Sequence, residues 1–456
     1  MGVRLEQYRG RSSELLAGAK ARPGSIVRIV RDDGLTVEGT LMPRYALAGR
    51  DVIVVKLENG YNIGIRADRI VKLEVVGERR PRGHAGAPAP LAEPARGVDK
   101  RVYVVGTGGT IASRIDYETG AVKPYIEAEE LIQAVPEATR YAEIYAGELM
   151  SVFSENMRPD LWEKIVDEVA RRVREGYDGI IVAHGTDTMG YTAAALSFAF
   201  HRGLPVPVVL VGAQRSSDRP SSDAAFNFTA AVLTAARAPF AEVTVVMHGT
   251  LSDTYALAHR GTRVRKLHSS RRDAFQSVNT LPLARVWPLK GEIEMLRDDY
   301  RRRGESEGLI VENGFCRRVA LIKYYPGMTR EVIDMFIDNG FRGLVIEGTG
   351  FGHVSDDVIE GIRRATREGI PVVAATQTVF GRVNLRVYAT GRKMLDAGVI
   401  PADDMLAETA YVKLSWALKR ASDLEEVRRI MTTNLAGEIG ERQSIRYYPQ
   451  WYHGRL

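Results

Sequence analysis

RVYVVGTGGTI at residues 101–111 and GIIVAHGTDTM at residues 179–189 follow one pattern. Each opens on a short run of β-branched apolar residues without alternation, as in a strand buried on both faces. Each then breaks into glycine and threonine. Strand-like runs PVVLVGA (207–213) and EVTVVMHG (242–249) follow, separated by helical stretches at 158–176, 192–203 and 223–237. Strands alternating with helices imply a parallel sheet with helices on both faces. In open α/β sheets ligands bind beyond the carboxyl ends of the strands. Thr110 and Thr186 both fall there, among glycines that let backbone N–H groups approach a ligand closely.

Working outward, the pattern changes on both sides. Residues 24–76 carry four or five short strands (GSIVRIVRDD, LTVEGTLMPR, DVIVVKLENG, YNIGIRADRI) separated by turn signals such as Asp33-Gly34 and Asn59-Gly60. So many short strands in so few residues imply a small barrel. Residues 78–98 are rich in Pro, Gly, Ala and Arg and read as a semi-extended linker. Downstream, the charged stretch around 286–316 reads as a connection. A second alternating block follows, with strands RVALIKYY, RGLVIEGTG and IPVVAATQT and closing helices at 402–420 and 422–434. The expected division is therefore 1–77, a small β-barrel; 78–98, a linker; 99–290, an α/β domain; 291–316, a connection; and 317–456, a second α/β domain.

Composition narrows the class. Hydrophobic residues make up 45% and charged residues 26% of 456, the balance of a soluble globular protein of two or three domains. No apolar run approaches the ~20 residues of a membrane span, and MGVRLEQYRGR lacks the apolar core of a signal peptide. The single cysteine, Cys316, excludes an internal disulfide and a Cys-based zinc cluster. These readings place the chain in the cytoplasm. The net charge of +6 lies entirely in residues 1–98, which hold 17 Lys and Arg against 11 Asp and Glu. Such a basic appendage attracts nucleic acid or an acidic partner, or is an ordinary solvated surface.

Amide cleavage needs a nucleophile, a proton acceptor and donors for the oxyanion. Thr110 and Thr186 are the candidate hydroxyls, and Asp187 can hold an ammonium group or orient a base. Each string taken singly also reads as a tight turn with a threonine helix cap. Lys266, within an Arg-rich run (Arg263, Arg265, Arg271, Arg272), reads unaided as part of a solvated basic surface. Tyr117 reads as a loop tyrosine and His184 as a structural hydrogen bonder. The histidines at 248, 259, 268 and 353 form no His-x-x-x-His metal pair.

VVGTGGTIAS and VAHGTDTMGYTA closely resemble the two signature motifs of the L-asparaginase family with paired threonine triads. The resemblance runs through residues 100–435 and includes SENMRPDLW (154–162), VLVGAQR (209–215), SSDAAFN (221–227) and VYATGRKMLDAGVIP (387–401). It implies a two-domain α/β asparaginase-like fold behind the small all-β unit. It further implies Thr110 as nucleophile, Tyr117 closing over the substrate, and Thr186, Asp187 and Lys266 as a second triad with Lys266 as proton acceptor. Ser154 and Glu155, with Gly109 and Gly185, would bind the amino-acid end of the substrate. No metal or cofactor is implied.

Residues 37–65 and the stretch HGTLSDTYALAHRGTRVRKLHSSRRDAF (248–275) are similar to the D subunits of archaeal glutamyl-tRNA(Gln) amidotransferases. In that family an amidase subunit releases ammonia from glutamine or asparagine. An E subunit, expected to hold ATP and Mg2+, uses the ammonia to amidate Glu-tRNA(Gln). A homodimer within a D2E2 heterotetramer would be the assembly. The alternative is a free-standing L-asparaginase with a fused accessory domain.

Overall fold

Helix α1 (Gly10–Gly18) precedes strands β1 (Ser25–Arg31), β2 (Thr36–Leu41), β3 (Val52–Lys56), β4 (Asn62–Arg66) and β5 (Ile70–Glu78) in the computed structural model. It describes residues 8–42, 51–57, 62–78, 98–108, 113–115, 122–124, 135–215, 222–306, 308–444 and 447–448. The five strands form one antiparallel sheet in the order β4-β3-β2-β1-β5. β1 alternates as a half-buried strand should: Val27 and Ile29 are buried, and Arg28 between them is exposed and paired with Glu38. At Gly39 a Cβ would stand 2.2 Å from the Lys56 carbonyl oxygen, so β2 approaches β3 where only glycine fits. The sequence showed the strands but not α1. Only Ser12 and Leu16 of that helix are buried, too few for a periodic signal. Its first turn is capped from afar, by the Asp51 carboxylate accepting from the N–H groups of Arg11 and Ser12.

The main body begins with β6 (Arg101–Gly106). The hairpin β7 (Ser113–Ile115) and β8 (Val122–Pro124) follows, then β9 (Glu143–Glu148). Helix α2 (Pro159–Arg174) leads to β10 (Gly179–Ala183), α3 (Met189–Ala199) to β11 (Val208–Val211), and α4 (Ala224–Arg237) to β12 (Val243–His248). Helix α2 buries Leu161, Trp162, Ile165, Val166, Val169, Ala170 and Val173, a stripe at helical period, with Pro159 in its first turn and arginines in its last. The expected parallel sheet is present in β9-β6-β10-β11-β12. It continues as a mixed sheet, because β13 (Ala256–Arg260), β16 (Ala284–Trp287) and β17 (Glu292–Met295) join antiparallel beyond β12. A separate small hairpin pairs β14 (Val264–Lys266) with β15 (Phe275–Ser277). β17 lies inside the stretch 291–316 read as a connection: a hairpin turning at Gly291 (φ +75°) brings it back to β16.

In the second domain β18 (Val319–Lys323), β19 (Gly343–Gly348), β20 (Val372–Thr376) and β21 (Ile400–Pro401) form a parallel sheet in chain order. Helices α5 (Arg330–Asp338), α6 (Asp356–Arg367) and α7 (Ala389–Asp396) connect these strands, and α8 (Ala407–Ala417) and α9 (Leu424–Thr432) close the chain. Helix α8 packs on α3 of the first domain on one side and on β18 and β19 on the other. It is therefore buried around most of its circumference. One apolar cluster consequently spans both domains, from Ile180 and Val245 to Val345 and Trp416.

Polar groups inside this joint are paired. Lys413 of α8 is fully buried with Glu438, 2.5 Å away, and donates to the carbonyls of Met431 and Thr433. The Glu438 carboxylate also accepts from the N–H groups of Leu435 and Ala436. Breaking a buried pair leaves an uncompensated charge, which costs about 3–5 kcal/mol. Glu438→Gln is therefore expected to lower the thermal unfolding midpoint by several degrees, and an unchanged midpoint would refute this account of the joint.

Candidate active site

The chain runs from β6 outward to β9, returns past β6 to β10, and then proceeds the other way to β11 and β12. Its direction of travel reverses between β6 and β10, which pair from Val102↔Gly179 to Gly106↔Ala183. A crevice opens outside the carboxyl ends of such a pair, and both threonine strings begin there. The first is held to the second at once, since the Thr107 N–H and hydroxyl both donate to the Ala183 carbonyl, at 3.1 and 2.8 Å. Gly109, Thr110 and Tyr117 lie outside the described residues.

Close approach explains the glycines flanking the crevice. Gly108 has φ +97°, and a Cβ there would meet the Val152 backbone at 2.5 Å. A Cβ on Gly185 would meet the Ser154 side chain at 2.8 Å, and one on Gly212 would meet the Thr186 methyl at 2.9 Å. Ser154 is thus buried against the second string, and the Thr188 hydroxyl donates to its carbonyl at 2.6 Å. Glu155, the next residue, is exposed.

Thr186, Asp187 and Lys266 meet. The Lys266 Nζ donates to the Thr186 hydroxyl and to the Asp187 carboxylate, each at 2.8 Å. Thr186 is buried, the Lys266 side chain is 13% exposed, and Asp187 is 66% exposed, open to an incoming ligand. The arginines around Lys266 are not the solvated surface that their run implied. Arg263 is buried and paired with Asp404, Arg265 pairs with Glu408, and Arg272 pairs with Asp253. Only Arg271, beside Asp273, has half of its side chain exposed. The partners of Arg263 and Arg265 lie more than a hundred residues away in sequence, and no local signal reveals them. Among the described residues no cluster of three His, Cys, Asp or Glu is placed to hold a metal ion.

His184 is structural in its contacts. It is fully buried, with Nδ1 2.6 Å from the Gly185 carbonyl and Nε2 2.9 Å from the Thr192 hydroxyl. Burial pushes its pKa down to about 4, so it is neutral near pH 7 and rigidifies the turn that carries Gly185 and Thr186.

Residues 101–301 match the asparaginase N-terminal family, 318–431 the glutaminase/asparaginase C-terminal domain, and 21–76 the GatD N-terminal domain. The glutamyl-tRNA(Gln) amidotransferase D subunit of Aeropyrum pernix is 62% identical over 423 residues, covering 92% of this chain and 99% of that protein. The chain belongs to the family of glutamyl-tRNA(Gln) amidotransferase D subunits. The family member from Thermofilum pendens is 49% identical and covers 97% of this chain and 98% of its own length. Among solved structures, the thermostable L-asparaginase from Thermococcus kodakarensis superposes with a TM-score of 0.67 at 35% identity, over 75% of this chain and all of that one. The expected asparaginase-like fold behind an N-terminal β unit is thus present, its first sheet mixed rather than purely parallel.

Because the His184 pKa falls from 6.5 to about 4 on folding, the unfolded chain binds more protons between these values. Stability should therefore fall as pH drops from about 6.5 to about 4, by roughly 3 kcal/mol for this group. Unfolding midpoints compared across that range should fall less in His184→Gln, which cannot titrate. An identical pH dependence in the two proteins would contradict the assignment.

Proposed function

We propose that the chain is the amidase subunit of a tRNA-dependent amidotransferase, hydrolysing the side-chain amide of glutamine or asparagine so that a partner E subunit can use the ammonia. The observation that carries this reading is the Thr186–Lys266–Asp187 contact at the point of strand reversal, in a chain of the amidotransferase D-subunit family.

The proposed chemistry takes Thr110 and Tyr117 from the family resemblance and the second triad from the contacts just described. The Thr110 hydroxyl attacks the carboxamide carbon and its proton passes to a neighbouring base. The carbon–nitrogen bond then breaks, with nitrogen leaving as ammonia after taking a proton. Water cleaves the threonyl ester, restoring the hydroxyl and releasing the acid. Tyr117 takes from the family resemblance the role of closing over the substrate. Thr186 relays protons to Lys266, which must be neutral to accept one. Asp187, exposed toward the crevice, takes the substrate ammonium. Ser154, Glu155, Gly109 and Gly185 hold the amino-acid end of the substrate. The hydrolytic steps are assigned to side chains of this chain alone, and ATP and Mg2+ to the E subunit. A D2E2 assembly in the cytoplasm, meeting Glu-tRNA(Gln) mainly through the partner, completes the reading. Among the described residues no helix is long and apolar enough to cross a membrane.

The test is ammonia transfer. Incubated with the E subunit, Glu-tRNA(Gln), ATP, Mg2+ and glutamine, the chain should support formation of Gln-tRNA(Gln). Thr110→Ala, Thr186→Ala and Lys266→Met should each lower glutamine-dependent amidation about 10²–10⁴-fold, and ammonium chloride should bypass all three. Full hydrolysis by the chain alone, unaltered by partner and tRNA, would make it a free-standing asparaginase instead.

A further inference from the structure

Lys266 ends a strand of three residues whose sheet partner, among the described residues, is β15 alone, from Val264↔Ser277 to Lys266↔Phe275. An isolated two-stranded hairpin is marginally stable at best, so its placement must come from elsewhere. The first domain holds part of it, through the His259–Ser277 contact, and the second domain holds the rest. The Thr262 hydroxyl donates to the Ala436 carbonyl at 3.0 Å, and the Thr262 carbonyl accepts from the Thr409 hydroxyl at 2.9 Å. Arg263 is clamped between Asp404, at 3.0 Å, and the Gly437 carbonyl, at 2.9 Å. Val264 is buried. The Arg265 Nε reaches Glu408, in the first turn of α8, at 3.2 Å.

Successive side chains of a strand point to opposite faces. Arg265 therefore turns to the second domain as Lys266 turns to Thr186. Glu408 is mostly buried, and its other carboxylate oxygen has no hydrogen-bond partner among the described residues. Burial, and to a smaller extent the neighbouring Glu347, raises its pKa; Arg265 is the larger of two cations that oppose the rise, Lys323 being the other.

We propose that Arg265 and Glu408 are positioning residues, a strut from the second domain that holds the Lys266 Nζ at hydrogen-bond distance from Thr186. Neither touches the reacting atoms; they act through the backbone of β14. A misplacement of 1 Å at a reacting group can cost on the order of 100-fold in rate. The proposal rests on the reading that Lys266 takes part in amide hydrolysis.

Glutamine hydrolysis by the full chain in complex with the E subunit tests it, with Glu408→Gln, Arg265→Met, the double variant and Arg265→Lys beside a Lys266→Met control. Each single loss should lower kcat by about tenfold or more with KM within about twofold. The double variant should be no worse than the weaker single, and Arg265→Lys should recover part of kcat. Wild-type kcat in folded Glu408→Gln would overturn the strut, as would losses confined to KM or multiplying in the double. Should Glu408→Gln fail to fold, Glu408→Asp and Arg265→Lys keep both charges and change only their reach. Reduced kcat at an unchanged unfolding temperature supports the strut, and wild-type kcat in both overturns it. Full activity in Lys266→Met would instead overturn the role of Lys266 itself, which separates the two readings.

Discussion

The side-by-side carboxyl ends of β6 and β10 are the constraint on which the site depends. Because the chain reverses direction between them, the loops leaving these two strands open a crevice rather than cover one another. A parallel pair has no turn of its own to lock its ends. Here the Ala183 carbonyl does so by accepting both hydrogen bonds of Thr107. The glycines follow from the same geometry. Ser154 and the Val152 backbone pack directly against Gly185 and Gly108, where a methyl group would displace them. Close packing at these points brings a buried serine, a buried threonine and an open aspartate to one rim.

A lysine at that rim has to be supplied by a distant part of the chain, and the second domain enters as the support. Three buried ion pairs mark the route: Arg260 with Glu242, Arg263 with Asp404, and Lys413 with Glu438. Burying charge contributes little stabilisation, since desolvation offsets most of the Coulombic gain. Each of these cations, however, also binds backbone carbonyls: Asp299 for Arg260, Gly437 and Asp404 for Arg263, Met431 and Thr433 for Lys413. A cation with several fixed acceptors tolerates one arrangement of the surrounding chain. Of the three, the Arg263–Asp404 pair joins the two domains and fixes the register between them beside Lys266, while the other two hold each domain's own chain in place.

How much of this is legible in the sequence varies by element. Runs such as GIIVA and VVLV are continuously apolar because both faces of the sheet are covered, so their assignment as parallel strands follows directly. The antiparallel continuation is not legible. β13, β16 and β17 carry mixed polar and apolar residues, and only pairing shows which edge they extend. Thr186 and Asp187 are visible from their turn, whereas Lys266 is visible only through family resemblance. Its neighbours Arg263 and Arg265 read as surface in the sequence and are not, because their carboxylate partners stand on α8 and the loop before it. Charge in a sequence says nothing of burial when the counter-charge is more than a hundred residues away.

Counter-charges matter equally on the basic N-terminal unit. Binding a phosphate backbone draws its free energy largely from the counter-ions that leave the nucleic acid when protein cations neutralise its phosphates. In the described part of this unit Arg28, Arg31, Arg66 and Arg69 already have carboxylate partners, in Glu38, Asp33, Asp68 and Asp32. An arginine so placed must exchange one partner for another, and the net gain from a phosphate shrinks accordingly. For these four arginines the pairing makes direct phosphate contact the less favourable use of their charge.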